Sequence, residues 1–559
     1  MPRPADFPPP FDPEAFVTVP ADPEDERIEV GVLVVGAGPA GLACAIRFGQ
    51  LLQEHPEVAD GLGEVPLAVV EKGKHPGSHL VSGMIVKPGP LRDLFAGRVA
   101  IEDMPGYGPV PAESVYILTK TRALPIPPPP PMRNHGNMIF SSARLGRWLG
   151  EQAEEAGAML LTETAAHSLL VDDGAVVGIR TGDKGRGPNG EQLRNAEAGS
   201  DIVARVTVLA EGTQGHLTGV ALDHFGLRSD HPQVWELAVK EVWRVARPLD
   251  RVIHTMGWPL RTSARYREFG GSFIYPMGRD MVTIGMVVGL DYRDPALSVH
   301  DLLQELKTHP KIRPLFEGGE RLEWGAKTIP SGGFHALPKK LHAPGLLLCG
   351  DGPGMVNIPT LKGFHYAVES GRLAAETAFA SITAGAPLGS FDDAVRSSFI
   401  WKDLYEVRDM RSVFGRGFFL GGVFSSAMTV SKGRVRIGRM PTEPDDAQPL
   451  LHTDRAARYP ASDGVLTFDK LSSVFASGNK TRDDQPDHIV LTERVAPEVA
   501  QLWMNMCPAQ VYEAGPLGDD GLVTVETAPS NCVQCGAISA RGGRLTPPEG
   551  GSGPEYSLT

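Results

Sequence analysis

A glycine turn between an apolar strand and an apolar helix constrains the fold of this chain more than any other feature. Residues 28–35, IEVGVLVV, predict a buried strand, and the sequence then passes Gly36, Gly38 and Gly41 into the helical pattern LACAIRFGQLLQ. The first glycine permits a tight turn, the second lets backbone approach a pyrophosphate, and the third lets helix and strand pack closely. The helix N-terminus attracts phosphate charge. The segment therefore predicts a dinucleotide-binding α/β domain.

An acidic residue at the end of the next predicted strand supports this interpretation. Glu71 follows the apolar run VPLAVV, where its carboxylate can accept hydrogen bonds from the hydroxyls of an adenosine ribose. The interval from Gly41 to Glu71 is longer than usual. We attribute the extra length to an inserted loop, EHPEVADGLGEV, between the helix and the second strand.

Two later segments favour a flavin over a nicotinamide dinucleotide. One is VTVLAEGTQG around Gly212, and the other is GLLLCGDGPG, in which an apolar strand ends at Gly350 and Asp351. In flavoproteins of this kind the carboxylate of the Asp351 type faces the ribityl chain. A helix predicted to start near Gly363 would point its positive end toward the isoalloxazine ring. The predicted cofactor is therefore FAD.

Length and charge limit the remaining possibilities. A chain of 559 residues is too long for one compact core, so two or three domains are expected. A net charge of -13 disfavours a nucleic-acid partner. Residues 1–27 are rich in proline and acid and carry no secretory signal pattern, so they predict a disordered leader on a cytoplasmic protein.

Several unusual phrases, spread from Val30 to Tyr556, make the chain resemble the electron-transfer flavoprotein:ubiquinone oxidoreductase family. They are LPIPPPPPMRNHGN (124–137), HTMGWPL (254–260), GGSFIYPM (270–277), GMVVGLDYRDP (285–295), EGGERLEWGAK (317–327) and LSSVFASGN (471–479). The resemblance implies FAD, one 4Fe-4S cluster and a bound ubiquinone. It also implies an electron-transfer flavoprotein as electron donor and a monotopic position on a membrane, here the cytoplasmic face of a bacterial inner membrane.

The resemblance also implies a domain organisation and a quinone site. We expect a Rossmann-like FAD-binding domain of the glutathione-reductase type in residues 28–235 and 335–440, a quinone-binding β-sheet domain in 236–334, and a ferredoxin-like module in 444–559. In the family, backbone groups at the pair matching Gly270 and Gly271 hold the quinone head group, a role that glycine suits because it lacks a Cβ. The alternative for this pair is a β-bulge, which requires glycine equally.

Residues 413–430, VFGRGFFLGGVFSSAMTV, form the best candidate for membrane contact. No stretch reaches the roughly 20 apolar residues needed to span a bilayer. This segment carries many aromatic and aliphatic side chains with one charge, which predicts a helix lying in the membrane interface. A buried core helix is the alternative.

Three cysteines near the C-terminus predict an iron-sulfur site that lacks one ligand. Cys507 is followed by proline, and Cys532 and Cys535 form a CxxC pair, whereas a 4Fe-4S cluster takes four thiolates. Where the family pattern has a further cysteine, this chain has Ile538. Four outcomes remain open: a 3Fe-4S cluster, a 4Fe-4S cluster with a different ligand on one iron, another metal, or no cluster.

Two other functions are compatible with the same flavin frame. One is an FAD-dependent reductase or hydroxylase of the geranylgeranyl-reductase type, which acts directly on an apolar substrate. The other is a membrane-docking flavoprotein whose cluster has degenerated, an idea motivated by Ile538. No catalytic acid, base or nucleophile is expected, because the proposed reaction moves electrons one at a time and requires no hydride donor.

Overall fold

A computed structural model of the chain describes residues 1–21, 27–81, 84–431, 433–434, 442–452 and 459–559. The predicted domain end at 435–440 lies outside the described residues. Two large β-sheets organise the described part. The first is the predicted dinucleotide-binding sheet, and the second forms the wall that faces it across a cavity.

The first sheet contains nine strands in the described ranges. Its central pairs are parallel: Ile28–Val35 lies between Leu67–Val70 and Asp201–Leu209, and Leu346–Leu348 continues beside Asp201–Leu209. Parallel strands buried on both faces are expected to be almost wholly apolar, as these are. The remaining strands are Val17–Thr18, Met159–Leu161, Ala166–Asp172, Ala175–Thr181 and His342–Ala343.

Helices cover this sheet and bury its apolar face. Helix Pro39–Glu54 packs against helix Phe364–Ala384, and their interface allows no Cβ at Gly371, where one would lie 2.0 Å from the Ala40 carbonyl oxygen. Both helices begin where the sequence predicts them, after a glycine at the end of a strand or loop. The other described α-helices are Pro56–Asp60, Gly89–Leu94, Ser142–Glu155, His216–His224, Val299–Lys307, Ser390–Ser397, Phe399–Glu406, Phe418–Val430, Lys470–Ala476, Pro497–Met506 and Ala537–Ala540.

The second sheet has seven strands and extends beyond the predicted quinone-binding segment. In spatial order the strands are Glu320–Pro330, Trp235–Arg244, Met281–Gly289, Gly270–Pro276, Val252–Gly257, Glu113–Leu118 and Ala123–Ile126. The last two come from the predicted FAD-binding segment 28–235, so the boundary drawn at 236 is wrong for residues 113–126. They join the sheet through a parallel pairing between Val252–Gly257 and Glu113–Leu118.

Residues 464–559 form a small module with short strands and helices. Tyr512–Leu517, Val523–Thr527 and Arg494–Val495 make a three-stranded antiparallel sheet, and Ile489–Val490 pairs with Arg544–Leu545. The apolar residues of this module belong to the same buried cluster as those of the second large sheet. The module is therefore packed against the rest of the chain.

The predicted disorder of residues 1–27 is wrong for residues 1–21. Val17–Thr18 pairs in parallel with Leu169 and Leu170, and Phe16 packs edge-on against His216 with ring centroids 4.5 Å apart. The aromatic residues between the prolines supply the apolar contacts that order this segment. Residues 22–26 lie outside the described ranges.

The segment predicted to contact a membrane is helical, as expected. Phe418–Val430 forms an α-helix after a short 3-10 turn, Ser412–Arg416. Val423 and Val430 are 67% and 84% exposed, which is unusual for apolar side chains on one helix. Among the described residues, every helix is too short or too polar to cross a bilayer.

Candidate functional site

A cavity of about 1140 Å³ is lined by residues of both large sheets. Pockets for one small ligand usually measure roughly 300–1,000 Å³, so this cavity has room for more than one ligand. Except for Gly41 and Gly350, the predicted flavin and quinone residues share its wall. They are Gly36, Gly38, Glu71, Gly212, Asp351, Gly363, Gly270 and Gly271. We call it the central cavity.

The glycine turn has the geometry that the sequence predicts. Gly36 has a φ of 104°, and a Cβ there would lie 2.6 Å from the Ala210 carbonyl oxygen. A Cβ on Gly41 would lie 1.9 Å from the carbonyl oxygen of Gly36, so helix and strand need glycine at this point. A Cβ on Gly38 would meet nothing within 4 Å, because it points into open space. That open space at a helix N-terminus fits a pyrophosphate.

The Glu71 carboxylate stabilises the glycine turn by accepting hydrogen bonds from backbone N–H groups. One oxygen accepts the Ala37 N–H at 2.8 Å, and the other accepts the Gly73 N–H at 2.7 Å. Each carboxylate oxygen can accept a second hydrogen bond. Glu71 can therefore fix the turn and still bind ribose hydroxyls.

The remaining flavin residues surround the beginning of helix Phe364–Ala384. Gly350 has a φ of 74° and ends the strand before Asp351, which lines the central cavity. The Asp351 carboxylate lies close to Gly363, the residue that precedes the helix, since a Cβ there would be 3.6 Å from Oδ1. Burial raises the pKa of Asp351 to about 6. A carboxyl group and a helix N-terminus thus face the same part of the cavity.

Gly270 and Gly271 begin a regular strand, and its pairing with Met281–Gly289 shows no register shift, so the alternative interpretation of the pair as a β-bulge is not supported. A Cβ on Gly270 would lie 2.0 Å from the Val287 carbonyl oxygen, and a Cβ on Gly271 would lie 2.5 Å from the Thr255 carbonyl oxygen. The sheet itself therefore requires glycine at both positions. Their backbone is also left bare along the cavity, where a flat ring can approach it.

Charged residues on the neighbouring strand were not found from the sequence. Glu236, Ala238 and Lys240 alternate along one face of Trp235–Arg244 and line the central cavity. Oε1 of Glu236 accepts no hydrogen bond within the described residues and lies 3.7 Å from Nε of Arg411. Burial raises the pKa of Glu236 to about 7 and lowers the pKa of Lys240 to about 7. Charged residues at alternate positions of an otherwise apolar strand were the sequence feature that could have identified Glu236 and Lys240.

The three C-terminal cysteines line a second, much smaller cavity of about 20 Å³. We call it the thiol cavity. Cys507, Cys532 and Cys535 contribute to its wall, and Ile538 lies beside them with only 4% of its surface exposed. Burial raises the pKa of all three thiols. The structure thus brings the predicted ligands together and puts an aliphatic side chain with them.

A thin wall separates the two cavities, because Gly536 and Leu545 line both. The CxxC loop is fixed to this wall by hydrogen bonds. The Cys535 carbonyl oxygen accepts the Thr328 N–H at 2.8 Å and the Thr328 hydroxyl at 2.9 Å. Nζ of Lys327 donates to the Gln534 carbonyl oxygen at 3.0 Å. The loop that carries two thiols is therefore part of the central-cavity wall.

The thiols are not arranged for one metal ion. Across the ranges that the structure describes, no three side chains of His, Cys, Asp or Glu converge on a point where an ion could sit. Thiols that bind separate irons of one cluster are expected to stand around a cavity instead.

Two family profiles match this chain in the regions just described. The profile "ETF-QO, ubiquinone-binding" covers residues 235–329, which are the main strands of the second sheet. The profile "Electron transfer flavoprotein-ubiquinone oxidoreductase, 4Fe-4S" covers residues 464–557, which are the C-terminal module.

Curated relatives extend the match to nearly the whole chain. The mitochondrial electron transfer flavoprotein-ubiquinone oxidoreductase of Arabidopsis thaliana is 38% identical in an alignment 553 residues long, which covers 95% of this chain and 85% of the relative. The human protein of that name is 36% identical in an alignment 570 residues long, gaps included, which covers 95% of this chain and 89% of the relative. This chain belongs to the electron transfer flavoprotein-ubiquinone oxidoreductase family. The resemblance found in its sequence is confirmed.

Solved structures support the flavoprotein fold alone. A geranylgeranyl bacteriochlorophyll reductase-like protein from Thermoplasma acidophilum aligns with a TM-score of 0.53 at 18% identity, over 73% of this chain and 92% of that one. The flavin-dependent brominase Bmp2 aligns with a TM-score of 0.51 at 17% identity, over 73% of this chain and 94% of that one. The predicted fold class is confirmed. The geranylgeranyl-reductase alternative gains no functional support, since the identity is too low.

Proposed function

We propose that this chain accepts electrons from a reduced electron-transfer flavoprotein and uses FAD to reduce ubiquinone to ubiquinol. The observation that carries the proposal is the central cavity, whose wall combines a dinucleotide-binding turn with the strands of the ubiquinone-binding profile. The family supplies the donor and the acceptor. FAD supplies the chemistry, because it can take up electrons singly and deliver two.

The residues present fit FAD. We assign the pyrophosphate to the open space at Gly38 and the N-terminus of helix Pro39–Glu54, and the adenosine ribose to Glu71. Asp351 would accept hydrogen bonds from the ribityl hydroxyls, and the start of helix Phe364–Ala384 at Gly363 would face the isoalloxazine ring. Gly212 gives the opposite wall a surface without a side chain.

The quinone head group belongs at Gly270 and Gly271. Their bare backbone can donate to and accept from a flat polar ring inside an apolar wall. Nearby polar side chains are already paired with each other: Nε2 of His254 lies 2.7 Å from the Tyr275 hydroxyl, and the hydroxyls of Thr255 and Ser272 lie 2.6 Å apart. Nδ1 of His254, which also lines the cavity, has no hydrogen-bond partner among the described residues, so it and the glycine backbone groups are left for the quinone oxygen.

Glu236 is the residue we assign to proton supply. Quinone reduction consumes two protons as well as two electrons, and water has little access to an apolar cavity. The carboxyl group of Glu236 faces this cavity with an unbonded oxygen, and its pKa of about 7 keeps a proton available near neutral pH. Arg411 and Asp291, joined by a 2.7 Å hydrogen bond, and the buried Asp445 are the charged groups packed beside it.

Replacing Glu236 with glutamine tests this assignment. Glu236→Gln removes the proton and little volume, so we expect ubiquinone reduction to slow at least tenfold. Flavin reduction by the protein donor, measured separately by stopped flow, should not change. In wild type the quinone step should slow as pH rises above about 7, because the carboxyl then ionises, and the variant should lose this dependence. Equal slowing of both half-reactions in Glu236→Gln would contradict the role.

We propose that the chain rests on a membrane surface at the rim of the central cavity, on the cytoplasmic face if the host is a bacterium. Helix Phe418–Val430 lines the cavity with several residues, and two of these, Val423 and Val430, are largely exposed apolar side chains. The proline-rich stretch 127–131 lines another part of the wall. A quinone tail leaving the cavity along this rim would enter lipid directly.

One assay tests the proposed function as a whole. Purified protein is mixed with electron-transfer flavoprotein, a reducing system for that donor, and a soluble ubiquinone analogue, and quinol formation is followed. We expect turnover that requires both the donor and bound FAD. Rapid flavin reduction by NADPH alone, with no reduction by the protein donor, would overturn the proposal in favour of a direct reductase.

A further inference from the structure

Ile538 occupies the place of a fourth ligand in the thiol cavity. It lies in the same wall as Cys507, Cys532 and Cys535, and it is buried. Its aliphatic side chain has no donor atom for iron. A cluster with four cysteine ligands therefore does not fit this site.

No other side chain of the described part takes over that position. Apart from the thiols, the thiol cavity is lined by apolar residues, glycine and Tyr512. Ser539 is the nearest hydroxyl in sequence, but it is absent from the lining, and its oxygen accepts the Leu545 N–H at 3.0 Å. The hydroxyl of Ser539, on the neighbouring helix, is therefore not placed to act as the fourth cluster ligand.

Three half-buried lysines lie near the three thiols. Nζ of Lys470 donates to the carbonyl oxygens of Met504 and Asn505, at 3.0 and 3.2 Å, just before Cys507. Lys72 donates to the Gln534 side chain and Lys327 donates to the Gln534 carbonyl oxygen, inside the CxxC loop. Each thiol therefore has one ammonium group nearby. Lys470 lies near Cys507, Lys72 lies near Cys532, and Lys327 lies near Cys535.

The carboxylates nearest these lysines act on them from a distance: Glu71 and Glu211 on Lys72, Glu71 on Lys327 and Asp301 on Lys470. Within the described ranges, none of Lys72, Lys327 and Lys470 comes within ion-pair distance of an Asp or Glu oxygen. The nearest acid to Lys72, Glu71, already bonds two backbone N–H groups. Thiolate-bound iron-sulfur centres are anionic, so the three nearby ammonium groups favour an occupied site over an empty, neutral one.

We propose that the module holds a three-iron cluster of the 3Fe-4S type, with Cys507, Cys532 and Cys535 as its ligands and Ile538 at the vacant corner. Each iron then has one thiolate, and the missing iron is the one that would face the isoleucine. This inference rests on the proposed function only in taking from the family that the module carries a cluster.

The test uses the full chain, purified anaerobically, and measures the cluster without measuring quinone reduction. A three-iron cluster is paramagnetic when oxidised, whereas a four-iron cluster is silent when oxidised and paramagnetic after reduction by one electron. We expect wild type to contain less iron than acid-labile sulfide and to give an electron paramagnetic resonance signal before reduction.

Two variants of one residue sharpen the test. Ile538→Cys supplies the fourth thiolate, so we expect equal iron and sulfide and a signal that appears only after reduction. Ile538→Val keeps an aliphatic side chain and should retain the wild-type spectrum. A wild-type signal that appears only on reduction would overturn the proposal, as would wild-type protein with only trace iron. Because quinone turnover is not measured, failure of the proposed function would be seen in a different assay.

Discussion

Single glycines in this chain serve different physical needs. Gly41 is required by packing, because the carbonyl oxygen of Gly36 occupies the position of its Cβ. Gly38 is not, since its φ of -85° suits any residue and its missing side chain points into open cavity. Gly41 is therefore needed for the fold, and Gly38 is needed for the ligand.

Alanine at these two positions should separate stability from flavin binding. In Gly41→Ala the new methyl group collides with backbone, so we expect the free energy of unfolding to fall by about 3 kcal/mol. In Gly38→Ala the apoprotein should lose only about 1 kcal/mol, the cost of placing alanine instead of glycine at a helix N-cap. Its affinity for FAD should fall at least tenfold.

Urea unfolding of the apoproteins and flavin titration by fluorescence quenching measure the two quantities. The assignment of the pyrophosphate to Gly38 would be wrong if Gly38→Ala bound FAD as tightly as wild type does. Equal unfolding midpoints for Gly41→Ala and wild type would contradict the packing argument.

Residues in local motifs could be predicted from the sequence, and residues assembled from distant segments could not. Gly36 and Glu71 were predicted because one strand, one turn and the next strand position them. Glu236 and Lys327 were missed, because only the pairing of strands far apart in sequence reveals that they face the cavity. Ile538 was recognised from the spacing of cysteines, but its burial beside them required the structure.

At the scale of elements, helix Phe418–Val430 combines two properties that rarely occur together. It lines the central cavity, and it also exposes the side chains of Val423 and Val430. Exposed valines on a helix with so little charge are unfavourable in water and favourable at a lipid surface. The helix is therefore the element most suited to membrane contact.

Serine at the two exposed valines should weaken membrane binding. In Val423→Ser with Val430→Ser, less apolar surface enters the lipid, so we expect partitioning onto phospholipid vesicles to fall at least tenfold. FAD content should not change. The matched control is Val465→Ser with Val19→Ser, whose valines are 69% and 63% exposed on other parts of the chain. Vesicle flotation measures both, and equal losses in the two double variants would refute a specific role of the helix.

Some element boundaries could be predicted from periodicity and composition, and others could not. The helices after Gly38 and Gly363 were predicted well, because each follows a glycine at a strand or loop end. Strands Glu113–Leu118 and Ala123–Ile126 were assigned to the flavin domain, because sequence order says nothing about which sheet a strand joins. Residues 1–21 were predicted to be disordered from their prolines, whereas their aromatic residues pack on the first sheet's helix.

At the scale of the whole molecule, a short series of hydrogen bonds joins the flavin-binding fold, the second sheet and the C-terminal module. The Thr213 hydroxyl, beside the flavin residue Gly212, lies 3.0 Å from the Thr328 hydroxyl on the second sheet. Thr328 in turn bonds the Cys535 carbonyl oxygen in the C-terminal module. The flavin fold, the quinone sheet and the thiol loop are thus joined at the wall between the two cavities. We infer that they unfold together.

Removing one hydroxyl at this junction should lower the stability of all three parts at once. Thr328→Val keeps the side-chain shape and the N–H bond to Cys535 but deletes the hydroxyl, so we expect a loss of about 1 kcal/mol. Flavin release and loss of circular dichroism should shift together to lower temperature, as one transition. Thr383→Val, at an exposed helix position, is the control and should change the midpoint little. Flavin release that moved without the circular dichroism transition would show that the three parts unfold separately.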